Sequence, residues 1–175
     1  SGEFLKFAYQ NGHWEVYDKS GTQYIFGSSS QSQQTNTRGT FAWYLESMKD
    51  VTGNQIDYTY IHDAGEIYLS RIDYNRNMTQ NFSATHSVEF IPDEQNGPDP
   101  LISYISGSRI ETRKRLKEIQ VKVKNTQGDY QLSRKYNLSH ELSPLAGKSY
   151  LSAVEECGTD GATCLPAVRF QYYEK

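Results

Sequence analysis

Short runs that alternate apolar and polar residues, separated by turn residues, extend along most of the chain. From Gln55 to Ile61 every second residue is apolar or aromatic, including Tyr58 and Tyr60, and the residues between them are polar. A period of two is that of a half-buried β-strand. Turn residues precede and follow this run, so the stretch from Val51 to Tyr74 predicts a Tyr-rich hairpin.

The same pattern recurs on both sides of that hairpin. Phe4 to Gln10 predicts a strand, and Asn11-Gly12 is typical of a type I′ turn into the next strand. Arg109 to Leu138 predicts a long hairpin with a bulge around Ser133-Arg134. Repeated strand-turn-strand units indicate an all-β fold of largely antiparallel hairpins and meanders, with roughly ten short strands. We expect residues 1–175 to form a single domain.

Two segments fit the alternation less well. Gly27 to Gly39 contains Ser, Gln, Thr and Asn but no apolar residue, so we expect an exposed loop. Thr40 to Lys49 fits both the strand period and the helical period. Its aromatic residues and its position among strands favour a strand, with one helical turn as the alternative.

Composition, charge and the start of the chain add to this picture. The 175 residues suffice for a sizeable core, and 14 Tyr and 7 Phe supply large rings that sheets accommodate. A net charge of −3 argues against non-specific nucleic-acid binding. No apolar run is long enough to span a membrane, and no signal peptide is visible. Because the chain opens at Ser1-Gly2 without Met, we expect a fragment of a larger protein or a processed form.

Few residues suggest chemistry. Cys157 and Cys164 bracket a Gly-rich loop that permits a disulfide, and two reduced thiols are the alternative. Two cysteines without a nearby histidine are too few for a zinc site. Glu155-Glu156 would point to opposite faces of a strand, so the two carboxylates do not converge. We therefore predict no catalytic, cofactor-binding or metal-binding residue.

Two other sets of residues could contact a ligand. Arg113-Lys114-Arg115 could bind phosphate, but Glu111 and Glu118 flank it, and edge strands commonly carry such charges to prevent unwanted pairing. Tyr and Trp rings can stack on sugars. The candidate aromatic binding surface comprises Trp14, Trp43, Tyr58 and Tyr60, although packing in the core is the simpler role for such residues.

Four stretches together resemble one family. Trp14 to Gly27 resembles a W-x-V-x-x-x-D/S-G-T-x-Y-x-F/Y-G segment of the SpvB family, and Trp43 to Tyr60 resembles its W-x-L-x-x-V-x-D-x-x-G-N-x-I-x-Y-x-Y segment. Thr112 to Ile119 is similar to its R-T-x-K/R-R-L-x-x-I segment. Cys157 to Phe170 is similar to a C-G-x-D-G-x-C-L-P-P-x-x-F ending, with Ala167 where a second Pro is common.

The resemblance carries an expectation about function. The SpvB family includes the amino-terminal region of a Salmonella virulence plasmid protein and the B components of insecticidal Tc toxin complexes. In Tc toxins the B and C components form a hollow β-sheet shell around a cytotoxic polypeptide. The resemblance therefore implies a non-catalytic structural segment of a secreted or cell-surface bacterial toxin, related to YD/RHS-repeat shells.

The implied partners follow from that role. They are other domains of the same toxin polypeptide and subunits of the toxin complex, without nucleic acid, membrane span or cofactor. Any toxic catalytic activity is expected elsewhere in a longer protein. The alternative function is a β module that binds a glycan or a protein through its exposed aromatic residues.

Overall fold

The chain is almost entirely extended. The structure, a computed structural model, describes residues 4–172, so the expectation drawn from Ser1-Gly2 lies outside the described residues. Within this range there are fifteen strands. Their bounds are β1 (Lys6–Gln10), β2 (His13–Tyr17), β3 (Gln23–Phe26), β4 (Gln33–Asn36), β5 (Gly39–Trp43), β6 (Leu45–Lys49), β7 (Asn54–Asp63), β8 (Glu66–Asn77), β9 (His86–Pro92), β10 (Leu101–Ser103), β11 (Ile110–Thr112), β12 (Leu116–Lys124), β13 (Tyr130–Leu142), β14 (Ser149–Cys157) and β15 (Val168–Arg169).

The one stretch of helix in the described range is a 3₁₀ turn at Ser30–Ser32. Across residues 4–172 there is accordingly no helix with the length and apolar character needed to cross a membrane. The predicted all-β, antiparallel class is confirmed. There are more strands than the roughly ten that the sequence predicted, because several strands of two to four residues lack a clear sequence signal. Two strands are also longer than predicted, since β8 has 12 residues and β13 has 13.

The described chain divides into two compact units. The first contains residues 4–87 and 103–110, and the second contains residues 88–102 and 111–172. Each unit contains antiparallel strand pairs. That one domain spans residues 1–175 stays a prediction.

In the first unit, six strands lie in the order β1-β2-β3-β6-β7-β8, and β4 pairs with β5 as a separate hairpin. The turns between β1 and β2 and between β7 and β8 each have positive φ at both central residues, Asn11 and Gly12 in one and Ala64 and Gly65 in the other. Positive φ at both positions defines the type I′ turn, whose twist matches the flanking strands. The two hairpins that the sequence predicted here are confirmed.

In the second unit, β9, β12, β13, β14 and β15 are adjacent in that order. The pairing of β12 with β13 shifts register between Val121 and Lys122, which pair with Arg134 and Leu132. Ser133 is therefore the extra residue of a β-bulge, as its sequence position predicted.

Three hairpin loops share one hydrogen-bonding scheme. Asp18, Asp50 and Asn125 each begin a loop and accept hydrogen bonds through one side-chain oxygen from the backbone N–H groups two and four residues later. The fourth residue of each loop is a glycine with positive φ, namely Gly21 at 83°, Gly53 at 90° and Gly128 at 91°. The side-chain oxygen thus pairs amides that the turn leaves without a backbone partner.

The segment from Gly27 to Gly39 contradicts the expectation of an exposed loop. It contains the 3₁₀ turn and β4, and Ser32 and Gln34 are only 1% and 6% exposed. Glu46 accepts hydrogen bonds from the Ser29 backbone N–H and the Ser32 hydroxyl, and Gln34 donates to the Gly65 carbonyl at 2.6 Å. The prediction was wrong because specific hydrogen bonds, not apolar contacts, compensate the burial of this polar segment.

The ambiguous segment from Thr40 to Lys49 is extended, as favoured, and the helical alternative is wrong. It forms β5 and β6, which are interrupted at Tyr44. The Tyr44 N–H donates to the Ser32 carbonyl, and the Gly27 N–H donates to the Tyr44 carbonyl. The interruption therefore fixes the polar segment to the ends of β3 and β6.

Candidate binding surface

One face of the first unit's sheet is apolar over its first three strands. Strict alternation places the side chains of directly paired residues on the same face. Tyr9 pairs with Trp14, which pairs with Phe26 on the next strand, and the Phe7, Val16 and Tyr24 row lies beside them. The opposite face is polar, with Glu15 accepting hydrogen bonds from Tyr17, Gln10 and Gln23. Sequence alternation alone thus gives this sheet two chemically different faces.

The apolar face contains an open cleft with a volume of about 660 Å³. Its lining comprises Leu5, Phe7, Trp14, Val16, Tyr24, Phe26 and Trp43. No lining residue carries a formal charge. The cleft therefore favours an apolar occupant over a charged or strongly hydrogen-bonding one.

Three aromatic rings form a cluster at one end of the cleft. The Tyr9 and Trp14 ring centroids lie 4.9 Å apart, Tyr9 and Trp43 lie 6.0 Å apart, and the two Trp rings lie 6.5 Å apart at 90°. These tilted and edge-on arrangements are the ones that aromatic quadrupoles favour. The Trp43 Nε1–H donates to the Gly12 carbonyl at 2.8 Å, which fixes the indole over the first hairpin.

Gly27 makes room for the Trp43 ring. A Cβ atom at residue 27 would lie 2.3 Å from Trp43 Cδ1, and the residue has a φ of 68°. Both the contact and the left-handed backbone demand glycine at this position. This is the glycine that closes the first of the four resembling segments, so its place in the pattern has a steric reason.

The structure brings together only part of the predicted aromatic surface. Trp14 and Trp43 line the cleft, whereas Tyr58 and Tyr60 lie on β7 and do not. The Tyr60 hydroxyl donates to the Leu45 carbonyl at 2.6 Å, and burial raises the pKa of Tyr60 to about 12. Tyr60 is therefore a packing residue. That Trp14 and Trp43 bind a ligand stays a prediction.

Sequence reasoning missed Tyr9 as a member of this surface. The Asn11-Gly12 turn was recognised, and a two-residue turn fixes which residues pair across it. Counting back from that turn places Tyr9 opposite Trp14. The signal was therefore present in the hairpin register.

Cys157 and Cys164 are joined by a disulfide, with sulfur atoms 2.01 Å apart. Within the loop that they close, Asp160 accepts hydrogen bonds from the Thr163 hydroxyl and from the backbone of Ala162 and Thr163. These bonds lower the pKa of Asp160 to about 2. The bridge and the carboxylate together order a loop that has little apolar surface.

The Glu155 carboxylate lies beside this disulfide, so that one carboxylate oxygen and two sulfur atoms fall within 4.8 Å of one another. Both sulfur atoms are bonded to each other and offer no thiolate to a metal. Glu155 accepts a hydrogen bond from Asn137, whereas Glu156 forms an ion pair with Arg134 at 3.2 Å. The two adjacent carboxylates therefore have separate partners.

The basic triplet is held within the second unit. Lys114 Nζ donates to the Glu94 carbonyl at 2.9 Å, and Arg115 contacts the Asp93 carboxylate at 3.4 Å and the Ser149 hydroxyl at 3.1 Å. Lys114, Arg115 and His140 line one shallow cleft of the second unit. Burial and the nearby Arg115 charge lower the pKa of His140. These charges stabilise the loop before β12, a more specific role than the deterrence of edge pairing that the sequence suggested.

The fold matches solved structures of bacterial toxins and effectors. The N-terminal domain of effector protein SpvB from Salmonella typhimurium strain LT2 has a TM-score of 0.76 at 15% identity, over 90% of this chain and 66% of that chain. A TcdB2-TccC3-TEV crystal structure has a TM-score of 0.80 at 17% identity, over 99% of this chain. A Tc holotoxin pore from Photorhabdus luminescens has a TM-score of 0.75 at 17% identity, over 96% of this chain.

This chain spans only part of those proteins. It covers 11% of the TcdB2-TccC3-TEV chain and 11% of the matched chain of the holotoxin pore. At these identities the likeness establishes the fold. A search of curated proteins found no match.

A sequence match, and not the structural likeness, establishes the family of this chain. Residues 5–92, half of the chain, match the family model described as Salmonella virulence plasmid 65kDa B protein. This region contains the first two of the four resembling segments, Trp14 to Gly27 and Trp43 to Tyr60. The chain belongs to this family, SpvB, as its sequence motifs indicated.

Proposed function

We propose that this chain is a non-catalytic structural segment of a secreted bacterial toxin, forming part of a β-sheet carrier shell that encloses or delivers a toxic domain. Membership of the SpvB family and likeness to the SpvB N-terminal domain support a toxin-associated structural domain. The Tc complexes among the similar structures support the more specific role in a shell.

The observation that carries the proposal is the exposed apolar face next to an open sheet edge. Phe7 and Tyr9 on β1 are 61% and 55% exposed. Soluble domains seldom expose contiguous apolar surface or unprotected strand edges, because both promote association. A segment cut from a larger β-sheet assembly has such surfaces where its neighbours belong.

Local distortions of the sheets also suit a shell. Register shifts interrupt the pairing of β3 with β6 and of β7 with β8 in the first unit. The second unit has shifts between β12 and β13 and between β13 and β14. Bulges bend a strand and increase its twist, so regularly placed bulges allow a long sheet to curve around a cavity.

The chain contributes shape and not chemistry in this proposal. The carboxylates of Glu155, Glu156 and Asp160 have structural partners. Toxic activity, where present, resides elsewhere in the longer protein. In an NAD-dependent labelling assay this chain should label no target; labelling by the purified chain would contradict the proposal.

The proposed partners are other domains of the same toxin polypeptide and subunits of the toxin complex. A secreted or cell-surface location agrees with the Cys157–Cys164 disulfide, since disulfides persist in oxidising compartments. Sequencing the reading frame on both sides of this chain tests the proposal. RHS repeats and a variable toxic domain downstream are expected; a gene that encodes this domain alone would contradict it.

The aromatic cluster favours a second candidate, a glycan- or protein-binding module. Tyr9, Trp14 and Trp43 gather beside a solvated cleft, as a sugar platform requires. The uncharged lining, however, offers few partners for sugar hydroxyls. A glycan array with Trp14→Ala decides this, with Tyr104→Ala as the control because Tyr104 is 65% exposed and does not line the cleft. Binding lost only in the Trp14 variant would favour this module.

A further inference from the structure

The outer edge of β1 is open in the described part of the chain. β1 lies at the end of its sheet, pairs with β2 on one side, and has no strand from residues 4–172 on the other. Its five residues pair with β2 in one continuous register without a shift. The edge is therefore straight enough to continue the sheet.

The turn between β1 and β2 fixes which backbone groups point outward. In a two-residue type I′ hairpin the residues that flank the turn, here Gln10 and His13, form a hydrogen-bonded pair. Hydrogen-bonded and non-bonded pairs then alternate along an antiparallel ladder. Phe7 and Tyr9 fall in the non-bonded pairs, so their N–H and C=O groups point away from β2.

The same two residues supply the exposed apolar surface. Their side chains lie on the cleft face, with Leu5 beside them at 39% exposed. A strand that bonded to their backbone would place every second side chain on that face. Backbone pairing and burial of apolar surface would thus occur in one step.

The edge has only one of the usual protections against pairing. Natural edges carry proline, bulges, lysine or inward-pointing charges, and of these β1 has a single lysine and nothing on its cleft face. Its one charge, Lys6, lies on the polar face, where the described residues provide no ion-pair partner for it. A strand with an acidic residue opposite Lys6 would complement this charge.

We propose that the outer edge of β1 pairs with an extended strand from the remainder of the toxin polypeptide. That strand alternates apolar residues, which cover Phe7 and Tyr9, with polar residues that include an acidic one opposite Lys6. The inference rests on the proposed shell function and identifies one strand pair of the shell. A second copy of this chain fits less well, because antiparallel pairing of two β1 strands centred on Ala8 would place Gln10, not an acid, opposite Lys6.

Hydrogen exchange of single amides tests this strand pairing. The 175-residue chain and the complete polypeptide from the same reading frame are compared. The Phe7 and Tyr9 amides should exchange rapidly in the chain and slow by roughly a hundredfold or more in the complete polypeptide. Ala8 serves as the internal control, because its amide already bonds to β2 in both.

A matched pair of variants separates the backbone from the side chain. Phe7→Ala and Phe7→Pro both remove the phenyl ring, but only the proline variant removes the outward backbone N–H. Edge strands tolerate proline at a position whose N–H points outward. The two variants should have equal melting temperatures in the 175-residue chain. In the complete polypeptide Phe7→Pro should melt several degrees lower than Phe7→Ala.

Two results would overturn the inference. One is rapid exchange of the Phe7 and Tyr9 amides in a complete polypeptide that still assembles, which would leave the shell function standing. The other is a dimer of the 175-residue chain that Phe7→Pro abolishes and Phe7→Ala does not, which would assign the edge to a second copy. A reading frame without further shell sequence would instead contradict the proposed function itself.

Discussion

At the scale of single residues, polar atoms define several turns and one buried segment of this protein. Asp18, Asp50 and Asn125 show that one acceptor oxygen in a fixed place, followed by a glycine at the fourth position, can organise loops whose second and third residues differ. The converse is a buried polar atom without a partner. In the described chain the Ser87 hydroxyl is such an atom, with the residue 0% exposed.

Ser87→Ala should raise the free energy of unfolding by about 1 kcal/mol, because a buried hydroxyl without a hydrogen bond is destabilising. Ser152→Ala is the control. Ser152 is 7% exposed and its hydroxyl donates to the Ser139 carbonyl at 3.2 Å. Loss of this hydrogen bond should lower the free energy of unfolding by a similar amount. Urea denaturation of both variants measures the difference. Equal effects of the two substitutions would contradict this reading of Ser87.

Asp50 should make stability depend on acidic pH. Hydrogen bonds from the Asn54 and Thr52 side chains lower the pKa of its carboxyl from 3.8 to about 2. Because the folded pKa is the lower one, the contribution is fully present above about pH 4 and is lost as the pH falls toward 2. A carboxyl carbon NMR titration measures the pKa directly.

The Asn125 loop supplies the matched variant. Asp50→Asn keeps the acceptor oxygen, as Asn125 does in its own loop, and should retain most stability while losing the pH dependence. Asp50→Ala should lose both. A pH profile of Asp50→Asn identical to that of the parent chain would assign the acid sensitivity to other carboxyl groups.

At the scale of elements, the hairpins follow from the sequence and the polar segment does not. Asn11-Gly12 and the bulge at Ser133 depend on local backbone preferences, which short sequence patterns encode. The segment from Gly27 to Asn36 depends on Glu46, Tyr44 and Gly65, which are distant in sequence. No local pattern reveals such partners. For the same reason the sequence grouped Tyr58 and Tyr60 with Trp14 and Trp43, whereas the structure places only the two Trp rings at the cleft.

Glu46 should therefore control the order of the segment from Gly27 to Asn36. Glu46→Ala removes the acceptor for Ser29 and Ser32 and should increase amide exchange across that segment by about tenfold or more. Lys49→Ala on the same strand is the control and should leave the exchange unchanged. Equal exchange in the two variants would show that backbone pairing with β5 suffices.

The Cys157–Cys164 bridge should stabilise the end of β14. Reduction should increase the intact mass by about two hydrogens, since one covalent bond is replaced by two thiols. Closing a loop this short contributes about 2 kcal/mol, so Cys157→Ala combined with Cys164→Ala should lower stability by that amount. Unchanged mass on reduction would show that the bridge is absent in solution.

At the scale of the whole molecule, family membership and surface chemistry lead to the same role. The SpvB motifs place the chain among toxin-associated proteins, and the apolar face beside the open β1 edge supports the proposed role in a shell. The sequence predicted the all-β class and the family because both reside in local patterns. The cleft required three strands and Trp43 to meet, and it became visible only in the folded chain.

Electron cryo-microscopy of the complete polypeptide tests the shell role most directly. The expected map places residues 4–172 in the wall of a closed β-sheet shell, with the apolar face of β1 to β3 covered by neighbouring protein. A map in which this chain is a separate domain tethered outside any shell, with that face in solvent, would contradict the proposed function.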